Sequence, residues 1–116
     1  MPPEFVFDGI KIDMEQSELL SKIKSNNAPV IIDVRSAMEY KSGRIPGAKH
    51  IPFWALLYRY KELQNKKDKL LVLCCEHGPR AWIAKAILLI HGFKNLDCLS
   101  GHMKKWKKDG SKMEKI

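Results

Sequence analysis

The sequence predicts an α/β domain with a central, mostly parallel β-sheet and helices on both faces. Two continuous apolar runs, Val30 to Val34 around Asp33 and Leu70 to Leu73, show no in-out alternation, as in strands buried on both faces. They alternate with segments of helical periodicity that carry start and stop signals. The chain has 116 residues, 45% of them hydrophobic, which suits one compact core and not two.

Taken in order, Ile10 and Ile12 alternate with Gly9 and Lys11, a short edge-type strand. Asp13 reads as an N-cap, with Gln16 three residues on completing a capping box. Leu19, Leu20 and Ile23 give the next helix one apolar face, and Asn26-Asn27 ends it. After the Val30–Val34 strand, Ser36 and Glu39 form a second capping box, and Gly43 stops that helix. Pro46-Gly47 signals a type II turn, and His50-Ile51 makes a very short strand. Phe53 to Tyr60 is aromatic-rich and helical, and Asn65 to Lys69 is a charged turn. Leu96 to Leu99 is the last strand, and Gly101 opens a basic tail around Trp106.

Composition narrows the function. The three cysteines include an adjacent pair and make no disulfide framework. No Cys-x-x-Cys pair exists, and His50, His77, His91 and His102 lie at no metal-ligand spacing, so neither metal nor cofactor is expected. The net charge of +8 reads as a lysine-rich solvated surface, clustered only near the C-terminus. No apolar run is long enough to span a bilayer, and Met1-Pro2-Pro3-Glu4 carries no signal-peptide pattern, so a cytoplasmic, membrane-free protein is expected.

The chemistry concentrates in Leu70 to Gly92. An apolar strand runs into Cys75-Glu76-His77-Gly78-Pro79-Arg80 and then into an apolar helix. Such a strand, tight loop and helix N-terminus point backbone N–H groups and a positive dipole end at an anion. A cysteine opening that loop is placed to be a reactive thiolate, whereas Cys74 ends the strand as a core residue and Cys98 sits in the last strand. Burial suits a cysteine inside the strand and not one that opens the loop. Gly78 is the position where φ > 0 lets the loop close. His77 reads as a solvent-facing loop residue, and Arg80 either contacts a substrate anion or holds the loop by pairing with Asp33 or Glu39. Asp33 and Arg35 read as scaffold.

These residues resemble the rhodanese family, whose loop is Cys-x-x-Gly-x-Arg between a strand and a helix. Asp33-Val34-Arg35, Glu39-Tyr40, Gly43-Arg44-Ile45-Pro46-Gly47-Ala48, Gly92-Phe93-x-Asn95 and Leu99-x-Gly101 with Trp106 are similar to its other segments, in order, over about residues 9 to 110. The resemblance implies a single rhodanese-like domain spanning 1–116, with a basic C-terminal tail. It implies a sulfurtransferase in which Cys75 becomes a persulfide, Glu76 to Arg80 form the substrate-binding loop, and Asp33, Arg35 and Glu39 support it. The donor is then thiosulfate or a persulfide, and the acceptor a thiol or cyanide. An acidic protein or a tRNA-thiolation partner is compatible with the lysine-rich C-terminus.

Three departures stand out: Ala81 replaces a Ser or Thr, Arg44 a His, and His102 the second Gly of a closing Gly-Gly pair. The two-domain thiosulfate enzymes of the family carry basic residues after the nucleophile and an arginine where Glu39 stands. Here Glu76, His77 and Glu39 occupy those places, so thiosulfate is expected to be the poorer donor and Glu76→Gln to improve its use. Cys74 to Arg80 also spells Cys-x5-Arg, the loop of phosphatases and arsenate reductases, and that register stays open beside a non-catalytic interaction module.

Overall fold

The computed structural model describes residues 6–7, 10–11 and 13–115, with side chains from 13 onward. Strands β1 (Val6–Phe7) and β2 (Ile10–Lys11) form a small antiparallel ladder. The expected strand around Ile10 thus exists, while Gly9 and Ile12 lie outside the described residues.

The main sheet has five strands: β3 (Asp13–Met14), β4 (Val30–Asp33), β5 (Lys49–His50), β6 (Leu71–Cys74) and β7 (Leu96–Leu99). Their order is β3-β7-β6-β4-β5, and every ladder is parallel. Chain order reverses between β4 and β6, where Asp33 pairs with Cys74. Open parallel sheets bind ligands outside the carboxyl ends of strands at such a switch point. Asp33-Val34-Arg35 and Cys74-Cys75 leave the sheet side by side there.

Alternate strand residues pack two cores. Ile31, Val72, Cys74 and Leu99 join Leu19 of α1 (Gln16–Lys24) with Met103 and Trp106 of α5 (His102–Lys108). Ile32, Leu71, Leu73 and Cys98 face the other way, against Leu56 of α3 (Leu56–Arg59) and Ala81, Ala84 and Leu88 of α4 (Pro79–Ile90). Helices therefore cover both faces, as the unbroken apolar strands require. Helix α2 (Ala37–Ser42) carries the expected capping box: Glu39 N–H donates to Ser36 Oγ at 3.3 Å, and Ser36 N–H to Glu39 Oε1 at 3.0 Å. Gly47 takes φ 83° in the expected turn, closed by Ala48 N–H to Ile45 O at 3.1 Å.

Three local expectations change. Asp13 is not an N-cap: Asp13–Met14 pairs with Cys98–Leu99 as the sheet edge, and Glu15 precedes α1 with no side-chain cap. Edge pairing satisfies that backbone better than one capping oxygen, and it frees Gln16. Its Nε2 donates to Ser100 O at 2.7 Å and His102 O at 2.8 Å. The aromatic stretch is mixed, with 3-10 turns at Phe53–Ala55 and Tyr60–Lys66 around α3. The basic tail begins as helix α5, because Trp106 is fully buried and anchors it. After α5 the chain returns, and Arg44 and Glu114 exchange both backbone hydrogen bonds.

Candidate active site

Strand β6 ends at Cys74, and only Cys75, Glu76 and His77 separate it from Gly78, the N-cap of α4. Pro79 at the first helical position lacks an N–H that would have no partner there anyway. Gly78 has φ 131°, and a Cβ added to it would meet His102 Nε2 at 3.3 Å. The backbone conformation therefore requires glycine, and the space beside it is tight. The result is a loop whose Gly78 N–H donates to Cys75 Sγ at 2.9 Å.

The two adjacent thiols face opposite cores, Cys74 the α1/α5 side and Cys75 the α3/α4 side. Both are fully buried. The expectation that burial separates them is corrected, because Cys75 packs into the α3/α4 core instead of opening to solvent. Hydrogen bonding separates them instead. Cys75 sulfur receives an amide N–H beside a helix N-terminus, an arrangement suited to negative charge. Burial pushes the Cys74 thiol well above its ordinary value, with the Asp33 carboxylate adding to the effect. Burial likewise pushes the Cys98 thiol up to about 12.

The loop is clamped from α5. Met103 N–H donates to Cys75 O at 2.9 Å and Lys104 N–H to Glu76 O at 3.1 Å. Cys75 N–H in turn donates to His102 Nδ1 at 3.2 Å. His102 is buried and non-glycine at φ 51°, a conformation that costs about 1–3 kcal/mol and persists where neighbours over-determine it. Gln16 Nε2 holds its carbonyl.

Arg35 is the buried brace. Its guanidinium grips Asp33 at 2.8–3.1 Å, donates to Gly43 O at 2.7 Å and reaches Glu76 Oε1 at 3.3 Å. Glu76 also pairs with Lys107 Nζ at 2.6 Å. Burial alone would raise the Glu76 carboxyl, but Lys107 and Arg35 outweigh it and hold it low. Glu76 therefore does not stand over the thiol as an uncompensated charge. Glu76→Gln would therefore also break its ion pairs with Arg35 and Lys107, so it acts on a bridge and not on a lone charge. His77 is exposed, as expected.

Arg80 holds the loop: its two terminal nitrogens donate to the two Glu39 oxygens at 2.7 and 3.0 Å. This fork is the first cause that holds the Glu39 carboxyl down at about 2, against an ordinary 4.5. A carboxylate depressed in the folded state contributes stability above its unfolded value and loses it as pH falls through the folded value. Stability tied to this pair should thus be full above about pH 4.5 and fade towards pH 2, modestly, because both side chains are about 30% exposed. Arg80→Gln should flatten the acid limb of a urea-midpoint-versus-pH curve. Equal limbs in the two proteins would show that the fork does not contribute.

Sequence reasoning found Cys75 to Arg80, Asp33, Arg35 and Glu39, and the structure brings all of them to one end of the sheet. It missed Gln16, Lys107 and His102 as loop supports. The one available signal was His102 at a position the resemblance assigns to glycine. Among the described residues no group of three or more His, Cys, Asp or Glu side chains could hold a metal, and no helix is long and apolar enough to cross a membrane.

The family model for the rhodanese-like domain matches residues 15–109. The chain belongs to the rhodanese-like domain family. A crystal structure of a rhodanese-related protein from Thermoplasma volcanium superposes with a TM-score of 0.77 at 27% identity, covering 89% of this chain and 97% of that one. A protein named sulfurtransferase from Allochromatium vinosum is 26% identical over 98 residues, covering 84% of this chain and 90% of its own length. A putative sulfur carrier protein from Bacillus subtilis is 33% identical over 85 residues, 73% of this chain. The rhodanese-like domain matches only 45% of that relative's length. The five-strand parallel sheet with helices is the α/β fold these neighbours share.

Proposed function

We propose that this rhodanese-like domain is a sulfurtransferase working through a persulfide on Cys75. The observation that carries the reading is the Gly78 N–H on Cys75 sulfur at 2.9 Å, at the N-terminus of α4. The Cys75 thiolate attacks the outer sulfur of a donor R–S–SH. The Cys75 S–S bond forms, the donor S–S bond breaks, and R–S⁻ leaves with the electron pair. An acceptor thiolate then attacks the outer sulfur of Cys75–S–SH, takes it with its proton, and returns the Cys75 thiolate. Two displacements replace one difficult transfer, and preset amide dipoles stabilise the anionic sulfur at each stage. Because Cys75 has no exposed surface, loading needs a transient opening of the packing around its sulfur. A reducing cytoplasm suits an enzyme whose three cysteines are free thiols.

The donor we infer is a persulfide. Thiosulfate is a dianion, and the loop guanidinium it would seek is already forked onto Glu39. The purified protein should therefore turn over a low-molecular-weight persulfide faster than thiosulfate, with a thiol or cyanide as acceptor. Equal or better use of thiosulfate would contradict the donor assignment. Turnover of an aryl phosphate or arsenate that depends on Cys74 would contradict the sulfurtransferase reading itself.

A further inference from the structure

His102 is only partly explained by holding the loop. Its Nδ1 accepts from Cys75 N–H, so that nitrogen carries no proton, and the neutral ring carries its proton on Nε2. Burial favours the same neutral form, although Asp13 opposes it. Nε2 lies on the Gly78 side, 3.3 Å from where a Cβ on that residue would stand. Among the described residues nothing accepts a hydrogen bond from it. Nε2–H is thus an uncharged donor of fixed orientation, next to the residue whose own N–H touches the nucleophile.

That corner opens onto a groove of about 350 Å³ bordered by His102, Gly78, Pro79, Trp82 and Asp13. Trp82 is 67% exposed, a large apolar ring with no core to fill. Together these give one hydrogen-bond donor, one carboxylate able to accept, and an apolar wall. A peptide group has a carbonyl for the first and an N–H for the second, and the side chains beside it can lie on the third.

We propose that His102 and this groove form the acceptor subsite, and that the acceptor is a cysteine thiol in peptide linkage. The assignment rests on the sulfurtransferase reading and names its second substrate. Cyanide, by contrast, has no peptide carbonyl to place at His102, no N–H for Asp13 and no side chain to lie on Trp82.

The test loads the protein from a low-molecular-weight persulfide and follows discharge by intact mass. Two acceptors are compared, cyanide and a short peptide with one cysteine and blocked ends. His102→Asn keeps an oxygen able to hold Cys75 N–H and tolerates positive φ, but lacks Nε2–H. Its ratio of peptide to cyanide discharge rates should fall about tenfold, the effect of one lost hydrogen bond. Trp82→Ala changes an exposed side chain and should lower the same ratio independently. A loosened loop would slow both acceptors together and leave the ratio unchanged. An unchanged ratio in both variants, with normal loading, overturns the inference alone. A wild-type protein that takes up no sulfur overturns the sulfurtransferase reading as well.

Discussion

Cys75→Ser should lose more than roughly 10³-fold in sulfur transfer, because no other group in the loop can form the covalent intermediate. Cys74→Ala should stay within about twofold of wild type, although the two residues are neighbours. Cys74 ends a central strand, packs in the α1/α5 core and pairs in register with Asp33. Its cost should appear as stability, about 1 kcal/mol for the removed sulfur. Steady-state transfer from a persulfide to cyanide, measured for both variants, checks this. Retained activity in Cys75→Ser, or its loss in Cys74→Ala, would reverse the register of the site.

The second large effect is on folding. Arg35→Ala should destabilise the protein by about 3–5 kcal/mol, because it leaves Asp33 as a buried, unpaired carboxylate. Arg35 and Asp33 are 1% and 0% exposed, so water cannot take over the lost contacts. The same change orphans Gly43 O and releases Glu76, which links stability to the loop. Against typical domain stabilities of about 5–15 kcal/mol this is a large fraction. Arg35→Lys should cost less than Ala yet more than a surface change, since one ammonium cannot reproduce the fork. Replacing both partners, Asp33→Asn with Arg35→Met, should cost less than the two single losses combined, because no charge is left alone. Urea midpoints at constant m-value measure all of these. An Arg35→Ala loss below about 1 kcal/mol would show that the brace is not structural.

How far the sequence reached depends on whether the deciding contacts are local. Val30 to Val34 and Leu70 to Leu73 are legible as buried strands because both faces demand apolar residues. The Ser36–Glu39 capping box is legible because its two hydrogen bonds close within four residues. The loop is legible because Cys75, Gly78, Pro79 and Arg80 fall within six residues and each answers a local demand of a strand-to-helix turn. The misread elements lean on distant chain. Asp13 could have capped α1, but the edge of β7 claims it. The lysines of α5 mask a helix, because only His102, Met103 and Trp106 of its seven residues are buried. Glu76 looks like a lone charge beside Cys75 until Arg35 and Lys107 arrive from 41 and 31 residues away.

His102 belongs to the same class. No periodicity or local spacing links it to Cys75, 27 residues earlier. Its backbone conformation suits the glycine that the resemblance puts there. Only the folded sheet, with α5 set across the end of β6, shows the exchange of a glycine's freedom for an imidazole that grips the Cys75 amide.

The central claim is that sulfur resides on Cys75, and peptide mass mapping after persulfide treatment tests it most directly. The fragment that contains both Cys74 and Cys75 should gain one sulfur atom, and its fragmentation should place that atom on Cys75. The added sulfur should disappear when cyanide or a thiol is supplied. Sulfur located on Cys74, or no gain on this fragment under conditions that load a known sulfurtransferase, would contradict the account.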